Sequence, residues 1–277
     1  MNKHPAQILF DLSGLVAVVT GGAGILCSSL CRGLAEHGVK VAILDINQQQ
    51  ADRLAKEIVQ EGGEAIGIHC DVKNRPSLEA AASQVLGAWG KVDILINGAG
   101  GNNPGATTRP DLPFFDIPID ALEGVFSLNI LGTMQASQAF GRYMAEQKRG
   151  SILNISSMNA SRPLTRIPAY SAAKAAVSNF TQWLAVHMAL EYSAAIRVNA
   201  IAPGFFLTDQ NHYLLMDKQT GELTERGQAI ITHTPMKRFG IPENLMGAVI
   251  WLLSPASSFV TGIVVPIDGG FSAYSGI

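Results

Sequence analysis

Short apolar runs alternate along the chain with longer segments in which apolar residues recur every three or four positions. The short runs predict buried β-strands, and the longer segments predict amphipathic helices. Strands are predicted at Val16 to Val19, Val41 to Leu44, Ala65 to His69, Ile94 to Ile96, Ser151 to Ile155, Arg197 to Ile201 and Ile263 to Pro266. Helices are predicted at, among other places, Ile25 to Glu36, Gln48 to Glu61 and Ser77 to Trp89.

This alternation is typical of β-α units that wind a parallel sheet. Strands so continuously apolar are buried on both faces, which places helices on both sides of the sheet. No internal repeat, charge block or Pro/Ser-rich linker divides the sequence, so we expect one α/β domain over residues 1–277 with a doubly wound, parallel seven-stranded sheet. The irregular stretch 204–240 is longer than ordinary loops, and it predicts a substrate lid with some helix of its own.

Composition narrows the classes of partner. The 277 residues are 47% hydrophobic, which is enough for one large core. A net charge of −2 and a pI near 6.3 provide no basic field for a nucleic acid or an anionic membrane surface. The sequence therefore favours a small-molecule partner.

The N-terminus and the cysteines bear on the compartment. Met1 to Asp11 lacks the charged start, apolar run and cleavage site of a signal peptide, and no later run reaches the roughly 18 apolar residues of a spanning helix. Cys27 and Cys31 are one helical turn apart, and the cysteines are odd in number, so a disulfide framework is not expected. We expect a cytoplasmic protein with reduced thiols and no membrane partner.

A glycine-rich turn follows the first predicted strand. It consists of Thr20, Gly21, Gly22, Ala23, Gly24, Ile25, Leu26 and Cys27. The helix that this turn opens offers unpaired N–H groups and a helix dipole to a pyrophosphate. An ordinary tight turn is the alternative interpretation.

The second predicted strand ends at Asp45, about 24 residues after the first glycine. A carboxylate there can accept hydrogen bonds from the adenosine ribose hydroxyls and repel a 2′-phosphate. No Arg or Lys lies beside Asp45, since the next one is Arg53, so a Rossmann-type site for NAD is favoured over one for NADP. The alternative is that Asp45 only caps the helix that begins near Asn47.

Two later strand ends fit the same site. Asp71, next to Val72, can contact the adenine, or it can cap the following helix. Asn97, Gly98 and Ala99 end another strand, and small residues there let the backbone approach a cofactor closely. Open α/β sheets bind ligands at the carboxyl ends of their strands.

Tyr170 and Lys174 are four positions apart, so both side chains project from one face of a helix. An ammonium nearby lowers the pKa of a phenol and gives an acid/base that works nearer neutrality. Ser157, just beyond a predicted strand, can hydrogen-bond the substrate oxygen, whereas Ser156 points to the opposite side. A Tyr and a Lys on an exposed helix face are the plainer interpretation of the pair alone.

These residues together resemble the short-chain dehydrogenase/reductase family over nearly the whole chain. The motifs that occur in the family's order and spacing are the glycine turn, Asn97-Gly98-Ala99-Gly100, Asn129, Ser157, Tyr170 with Lys174, and Pro203-Gly204. The resemblance implies that Tyr170 is the catalytic acid/base and that Lys174 lowers its pKa and binds the nicotinamide ribose. It also implies that Ser157 polarises the substrate carbonyl and that Asn129 holds a water linking Lys174 to solvent.

The resemblance extends to the cofactor and to assembly. Pro203, Gly204 and Thr208 resemble the stretch that binds the carboxamide of the nicotinamide ring. The full set expected to bind NAD is Gly21, Gly22, Gly24, Ile25, Leu26, Asp45, Asp71, Val72, Asn97, Gly98, Ala99, Tyr170, Lys174, Pro203, Gly204 and Thr208. Family members are usually homotetramers or homodimers, so an oligomer is implied.

The sequence departs from the family pattern in two places. The usual turn has glycines at its second, sixth and eighth positions counted from Thr20, whereas Ile25 and Cys27 stand at the sixth and eighth here. Cys27 is either a small buried replacement for glycine or a thiol activated by the helix N-terminus. The second departure is Gly98, where the family more often has a second Asn.

Within the family, segments 97–104, 156–166 and 203–208 resemble the bacterial D-mannonate oxidoreductases, also called fructuronate reductases. That resemblance implies interconversion of D-mannonate and D-fructuronate with NAD. The candidate substrate residues are Asn103, Asn159, Arg162, Arg166 and His212. One arginine would clamp the substrate carboxylate bidentately, although a solvated arginine and a turn built by Asn103 are the plainer alternatives.

Other functions stay open from the sequence. Another sugar acid, such as a 5-ketogluconate, or a polyol can replace mannonate, and a non-catalytic NAD-binding protein can have the same fold. His69, Cys70 and Asp71 are adjacent but lack metal-ligand spacing, so we expect no catalytic metal.

Overall fold

The computed structural model describes residues 8–207, 215–217 and 220–276. The strands are β1 (Val16–Thr20), β2 (Lys40–Asp45), β3 (Glu64–His69), β4 (Ile94–Asn97), β5 (Gly150–Ile155), β6 (Ile196–Pro203) and β7 (Val264–Ile267). The α-helices of the described part are α1 (Ile25–Glu36), α2 (Gln48–Gln60), α3 (Arg75–Trp89), α4 (Ile119–Phe126), α5 (Gly132–Gln147), α6 (Pro168–His187), α7 (Glu225–His233) and α8 (Met246–Leu253). All seven predicted strands are present, with bounds shifted by one or two residues.

The seven strands form one parallel sheet in the order β3-β2-β1-β4-β5-β6-β7. The chain winds outward from β1 through β2 to β3, and then continues on the other side of β1 with β4. The carboxyl ends of β1 and β4 therefore flank the point where the winding reverses, which is where sheets of this kind bind ligands. The predicted doubly wound α/β fold is confirmed.

Hydrophobic cores lie on both faces of the sheet. One core packs apolar side chains of α3, α5 and α6, such as Leu78, Phe140 and Leu184, against the sheet. The other packs α1, α2 and α8, including Leu34 and Leu252. The inner strands can be apolar on both faces because helices cover both sides.

The predicted lid is described in part. Its ends meet where Phe206 pairs with Gly240, and between them α7 begins after Thr224, whose side chain accepts a hydrogen bond from Gly227 N at 3.1 Å. Thr208 and His212, two predicted site residues, lie outside the described residues. None of the helices described is both long and apolar enough to cross a membrane.

Candidate active site

The N-terminus of α1 has no side-chain cap. Its N-cap is Gly24, and its first turn contains no acidic residue. In contrast, the side chains of Asn47 and Asn74 cap α2 and α3. A helix start without a side-chain cap leaves backbone N–H groups for a ligand, and the helix dipole favours an anion there.

A cavity of about 680 Å³ opens beside this helix start, at the carboxyl ends of the strands. The predicted residues that line it are Gly21, Gly24, Ile25, Leu26, Asp45, Asp71, Val72, Gly98, Ala99, Tyr170 and Gly204. Lining residues absent from the predicted cofactor set are Cys27, Ile46, Cys70, Lys73, Gly100, Leu128, Ile155, Phe205 and Phe206. Several of these follow predicted residues directly, so proximity in sequence was the signal that could have found them.

Asp45 connects two parts of this cavity. Its Oδ2 accepts a hydrogen bond from Ala23 N in the glycine turn at 3.1 Å, and its Oδ1 accepts one from Asn47 N at 2.9 Å. The cap of α2 is the Asn47 side chain, which accepts from Gln50 N at 3.2 Å. The alternative that Asp45 merely caps α2 therefore does not hold. Asp71 likewise does not cap α3, because Asn74 does so.

Four of the predicted cofactor residues that the structure describes do not line the cavity, namely Lys174, Pro203 at the end of β6, Gly22 and Asn97. The Asn97 side chain is buried in the sheet, where its Nδ2 donates to Asn154 Oδ1 at 2.8 Å and to Ser137 Oγ at 3.0 Å. A Cβ on Gly22 would lie 2.9 Å from Ile43 Cγ2, so this glycine allows close packing of the turn on β2. Gly22 and Asn97 therefore support the glycine turn and the sheet beneath the cavity wall.

Tyr170 and Ser157 meet at the inner end of the cavity. They share a side-chain hydrogen bond, and burial raises the pKa of Tyr170 while that hydrogen bond opposes the rise. Ser156 points the other way, since its Oγ lies 2.6 Å from Ser178 Oγ on α6. The predicted choice of Ser157 over Ser156 agrees with this geometry.

Lys174 is 5% exposed, one helical turn after Tyr170. Its Nζ donates to Ile155 O at 2.7 Å and lies 5.7 Å from the centroid of the Tyr170 ring. Burial lowers the pKa of Lys174 to about 8. We expected Lys174 to lower the pKa of Tyr170, but in this structure desolvation of the phenol dominates and Ser157 is the group that opposes it.

Asn129 lies in a π-helical turn, Ser127–Leu131, between α4 and α5. Its side chain forms a two-way hydrogen-bonded pair with the backbone of Gly101, accepting from the N–H at 3.1 Å and donating to the carbonyl at 2.7 Å. A Cβ on Gly100 would lie 2.7 Å from Asn129 Oδ1 and 3.1 Å from Lys174 Nζ. Asn129 and Lys174 thus lie close together, packed against Gly100 in the loop that follows β4. Turns of π type are frequent at functional sites.

Cys27 is buried against Gly98. A Cβ on Gly98 would lie 2.2 Å from Cys27 Sγ, closer than real Cβ atoms approach. Burial raises the pKa of Cys27 to about 12. The close packing and the raised pKa support the interpretation of Cys27 as a small buried replacement for glycine over that of an activated thiol.

None of the described candidate substrate residues lines the cavity that contains Tyr170, although the Asn159 N–H donates a hydrogen bond to Ser157 Oγ at 3.3 Å. Arg166 and Asn159 line a separate cavity of about 450 Å³, together with Ala172 and Ala175. At the α-helical repeat, Ala172 and Ala175 lie roughly 140° to 200° around α6 from Tyr170. Asn103 builds a turn, since its Oδ1 accepts from Gly105 N at 2.8 Å.

Arg162 has a different neighbour. Its Nε donates to Ser272 O at 3.1 Å, close to the C-terminus. One nitrogen of Arg162 therefore has a partner within the chain, and its pairing with a substrate carboxylate stays a prediction. Sequence spacing could not reveal this partner, which is 110 positions away.

A doubly wound sheet, an uncapped helix start at a glycine turn and a Ser-Tyr-Lys cluster beside it define a nicotinamide-dinucleotide-dependent oxidoreductase. Comparisons with known proteins agree. The family model described as enoyl-(acyl carrier protein) reductase matches residues 24–272. The chain belongs to the short-chain dehydrogenase/reductase family.

The similarity to individual relatives covers nearly the whole chain. An uncharacterized oxidoreductase, UxuB, from Bacillus subtilis is 50% identical over 276 residues, 96% of this chain and 98% of that protein. A crystal structure from Haemophilus influenzae, provisionally described as a D-mannonate oxidoreductase with bound NAD, has a TM-score of 0.91 and 46% identity, covering 96% of this chain and 98% of the other. The 5-keto-D-gluconate 5-reductase of Escherichia coli is 33% identical over 263 residues, 95% of this chain and 97% of that protein.

Proposed function

We propose that the protein is an NAD-dependent oxidoreductase that interconverts a sugar-acid alcohol and its ketone, D-mannonate and D-fructuronate. The observation that carries the reaction type is the hydrogen-bonded pair of Ser157 and Tyr170 beside the cavity, with Lys174 buried behind it. The substrate is supported by the similar protein that bears the D-mannonate oxidoreductase name.

The geometry and the family resemblance support a role for each residue of the cluster. A bound nicotinamide supplies the hydride acceptor or donor. In oxidation the Tyr170 phenolate takes the proton from the substrate hydroxyl, and in reduction the Tyr170 hydroxyl donates its proton to the oxygen of the ketone. Ser157 hydrogen-bonds the same substrate oxygen, and Lys174 with Asn129 holds the proton path behind Tyr170.

The choice of NAD rests on Asp45. Its carboxylate lies at the end of β2 on the cavity wall, where a 2′-phosphate would meet a negative charge. The next residue is Ile46, so no guanidinium or ammonium stands beside Asp45 in the sequence to compensate. The proposed cofactor contacts are the glycine turn with α1, Asp45, Asp71 with Val72, and Gly98 with Ala99. Pro203, Gly204 and Thr208 complete the proposal at the nicotinamide end.

A second candidate is oxidation of another sugar acid or an uncharged polyol, as in a gluconate 5-dehydrogenase. Among the residues that the structure describes, no arginine lines the cavity that contains Tyr170. The 33% identical relative named for 5-keto-D-gluconate adds to this alternative. A non-catalytic NAD-binding protein is disfavoured because Asn129, Ser157, Tyr170 and Lys174 are all present and adjacent.

Turnover decides among these candidates. NADH formation should be followed with D-mannonate, D-gluconate and an uncharged hexitol, each with NAD and with NADP. We expect the highest kcat/KM with D-mannonate and NAD. Preference for the hexitol would refute the sugar-acid proposal, and preference for NADP would refute the role of Asp45.

Tyr170→Phe serves as the control for the reaction class. Loss of the acid/base should reduce kcat by about 10²- to 10⁴-fold, with NADH affinity nearly unchanged. Unchanged turnover would show that Tyr170 is not the acid/base.

We further propose a cytoplasmic homotetramer or homodimer. The cysteines Cys27, Cys31 and Cys70 are all free and buried, which fits a reducing compartment. Along α6 and the turn after it, Trp183, Val186 and Leu190 expose apolar side chains at helical spacing. A second copy of the chain is the proposed cover for this face.

A further inference from the structure

The residues that follow β7 form a tight turn around one carboxylate. Asp268 Oδ1 accepts from Gly270 N at 2.9 Å, and Oδ2 accepts from Ser272 N at 2.9 Å and from the Ser272 hydroxyl. Gly269 and Gly270 have φ values of +64° and +87°, in the left-handed region that favours glycine. We name residues 268–274 the C-terminal turn.

The C-terminal turn packs against the end of the lid. Met236 N donates to Gly269 O at 3.1 Å, and Cβ atoms on Gly269 and Gly270 would lie 3.0 and 3.1 Å from side-chain atoms of Thr234 and Pro235. His233, the last residue of α7, has its ring centroid 4.5 Å from that of Phe271 and 5.2 Å from that of Tyr274. The turn therefore meets the last residue of α7 through aromatic rings, and it meets residues 234–236 after the helix through a backbone hydrogen bond and side-chain packing.

The same turn contacts two loops of the active site. The ring centroid of Phe271 lies 5.2 Å from that of Phe205, which lines the cofactor cavity. A Cβ on Gly204 would lie 2.5 Å from Asp268 Cβ. Ser272 O accepts from Nε of Arg162, which lies on the loop after Ser157. The C-terminal turn thus contacts the end of the lid, the loop that contains Gly204 and Phe205, and the loop after Ser157.

We propose that the C-terminal turn positions the described end of the predicted lid, which is α7 with residues 234–240, and that Asp268 and Arg162 are the positioning residues. Helix α7 has nine residues, and isolated helices shorter than about 12 residues are marginal in water, so α7 depends on what it packs against. The inference rests on the proposed function in one respect, which is that the substrate binds beneath the lid.

This role differs from a carboxylate clamp. A clamp removed by mutation weakens binding of charged substrates alone. A lost positioning contact loosens the lid and weakens binding of charged and uncharged substrates alike. The chain offers a matched control in Arg166, on the same loop but lining the separate cavity on the far side of α6.

The test compares Arg162→Met, Arg162→Lys and Arg166→Met by hydrogen exchange of the amides of α7 in the NADH complex. For Arg162→Met we expect exchange over 225–233 to accelerate at least about tenfold. Arg162→Lys, which keeps a donor, should recover much of the protection, and Arg166→Met should match the wild type. Unchanged exchange in Arg162→Met would overturn the proposal.

Kinetics separates this proposal from the substrate proposal. The positioning role predicts that Arg162→Met raises KM for a sugar acid and for a poorly used polyol by the same factor, with KM for NAD little changed. A rise confined to the sugar acid would identify Arg162 as a clamp and overturn the positioning role. Failure of the wild type to oxidise any sugar acid would refute the proposed function while hydrogen exchange still tests the turn.

Asp268→Ala provides a second route to the same result. It removes both acceptors that define the turn while leaving Arg162 in place. If this variant folds, α7 should exchange faster as in Arg162→Met. Wild-type protection of α7 in folded Asp268→Ala would contradict the proposal.

Discussion

Cys27 and Gly98 pack directly against each other in the wall of the cofactor cavity. The sulfur occupies the space that a Cβ at position 98 would need, and Thr20 O would lie 2.8 Å from that Cβ as well. The two departures from the family pattern are therefore one structural feature, because a larger residue at 98 is incompatible with the sulfur at 27. Sequence reasoning found both positions but not their contact.

Gly98→Ala should weaken NADH binding and destabilise the fold by about 1–3 kcal/mol through overpacking. Cys27→Gly in the same chain should recover part of both losses, because it removes the sulfur but not Thr20 O. Gly101→Ala is the control, since a Cβ there meets nothing within 4 Å. Fluorescence titration and urea unfolding would measure the coupling, and additive effects of the two substitutions would contradict it.

The buried ammonium of Lys174 has a measurable cost. Because burial lowers its pKa from 10.5 to about 8, the unfolded chain binds more protons between these pH values, and stability rises with pH across that window. Below pH 8 the folded protein bears the full cost of the buried charge.

Lys174→Met should therefore raise the free energy of unfolding at pH 7 by about 1–3 kcal/mol, after allowing for the lost hydrogen bond to Ile155 O. The advantage over wild type should shrink as pH rises from 8 to 10.5, while turnover is lost at every pH. Urea unfolding at pH 7 and pH 10 checks this, with Lys56→Met, an exposed lysine, as control. An advantage independent of pH would contradict the lowered pKa.

Among the secondary-structure elements, a buried polar chain fixes α6 to the sheet. Asn97 on β4 donates to Asn154 on β5, and Asn154 Nδ2 donates to Thr181 Oγ1 on α6 at 2.8 Å. Since α6 also contains Tyr170 and Lys174, these hydrogen bonds fix the position of the two proposed catalytic residues relative to β5. The apolar runs predicted both strands correctly, but the pattern gave no sign that the two asparagines meet.

Asn154→Ala should destabilise the protein by about 2–4 kcal/mol, because it opens a cavity and leaves Asn97 Nδ2 and Thr181 Oγ1 without this partner. Ser137→Ala, which removes a single acceptor of Asn97, should cost less, about 1 kcal/mol. Thermal and urea unfolding of both variants would measure the difference. Equal losses of unfolding free energy in the two variants would show that Asn154 is not the central residue of this hydrogen-bonded series.

At the scale of the whole molecule, apolar surface remains on α6 after the protomer has folded. Trp183, Val186 and Leu190 are 57%, 59% and 78% exposed, and the Trp183 ring stacks on His187 at 4.8 Å. Contiguous exposed apolar surface of this kind marks interaction sites.

Leu190→Glu should therefore shift the protein toward smaller species in light scattering coupled to size-exclusion chromatography. A charge placed at a two-fold interface faces its own copy, so the repulsion is counted twice. Val59→Glu on α2, where the side chain is also about half exposed, is the matched control and should leave the mass unchanged. A wild-type protein that is monomeric would contradict the proposed assembly.

The sequence by itself determined the order and type of the elements and the sheet class, and it selected Ser157, Tyr170 and Lys174 as the candidate catalytic residues. These depend on local periodicity and on spacings within one helix or at a strand end, which are properties of short segments. A glycine turn followed by Asp45 likewise falls within one β-α-β unit.

Only the tertiary structure decided which residues meet across the molecule. It separated Arg162 from Arg166, joined Cys27 to Gly98, buried Asn97 in the sheet and brought the C-terminal turn to the lid. Burial also reversed the expected direction for the pKa of Tyr170, because desolvation depends on everything packed around the hydroxyl. Such contacts arise from the packing of distant segments, and no pattern along a single segment encodes them.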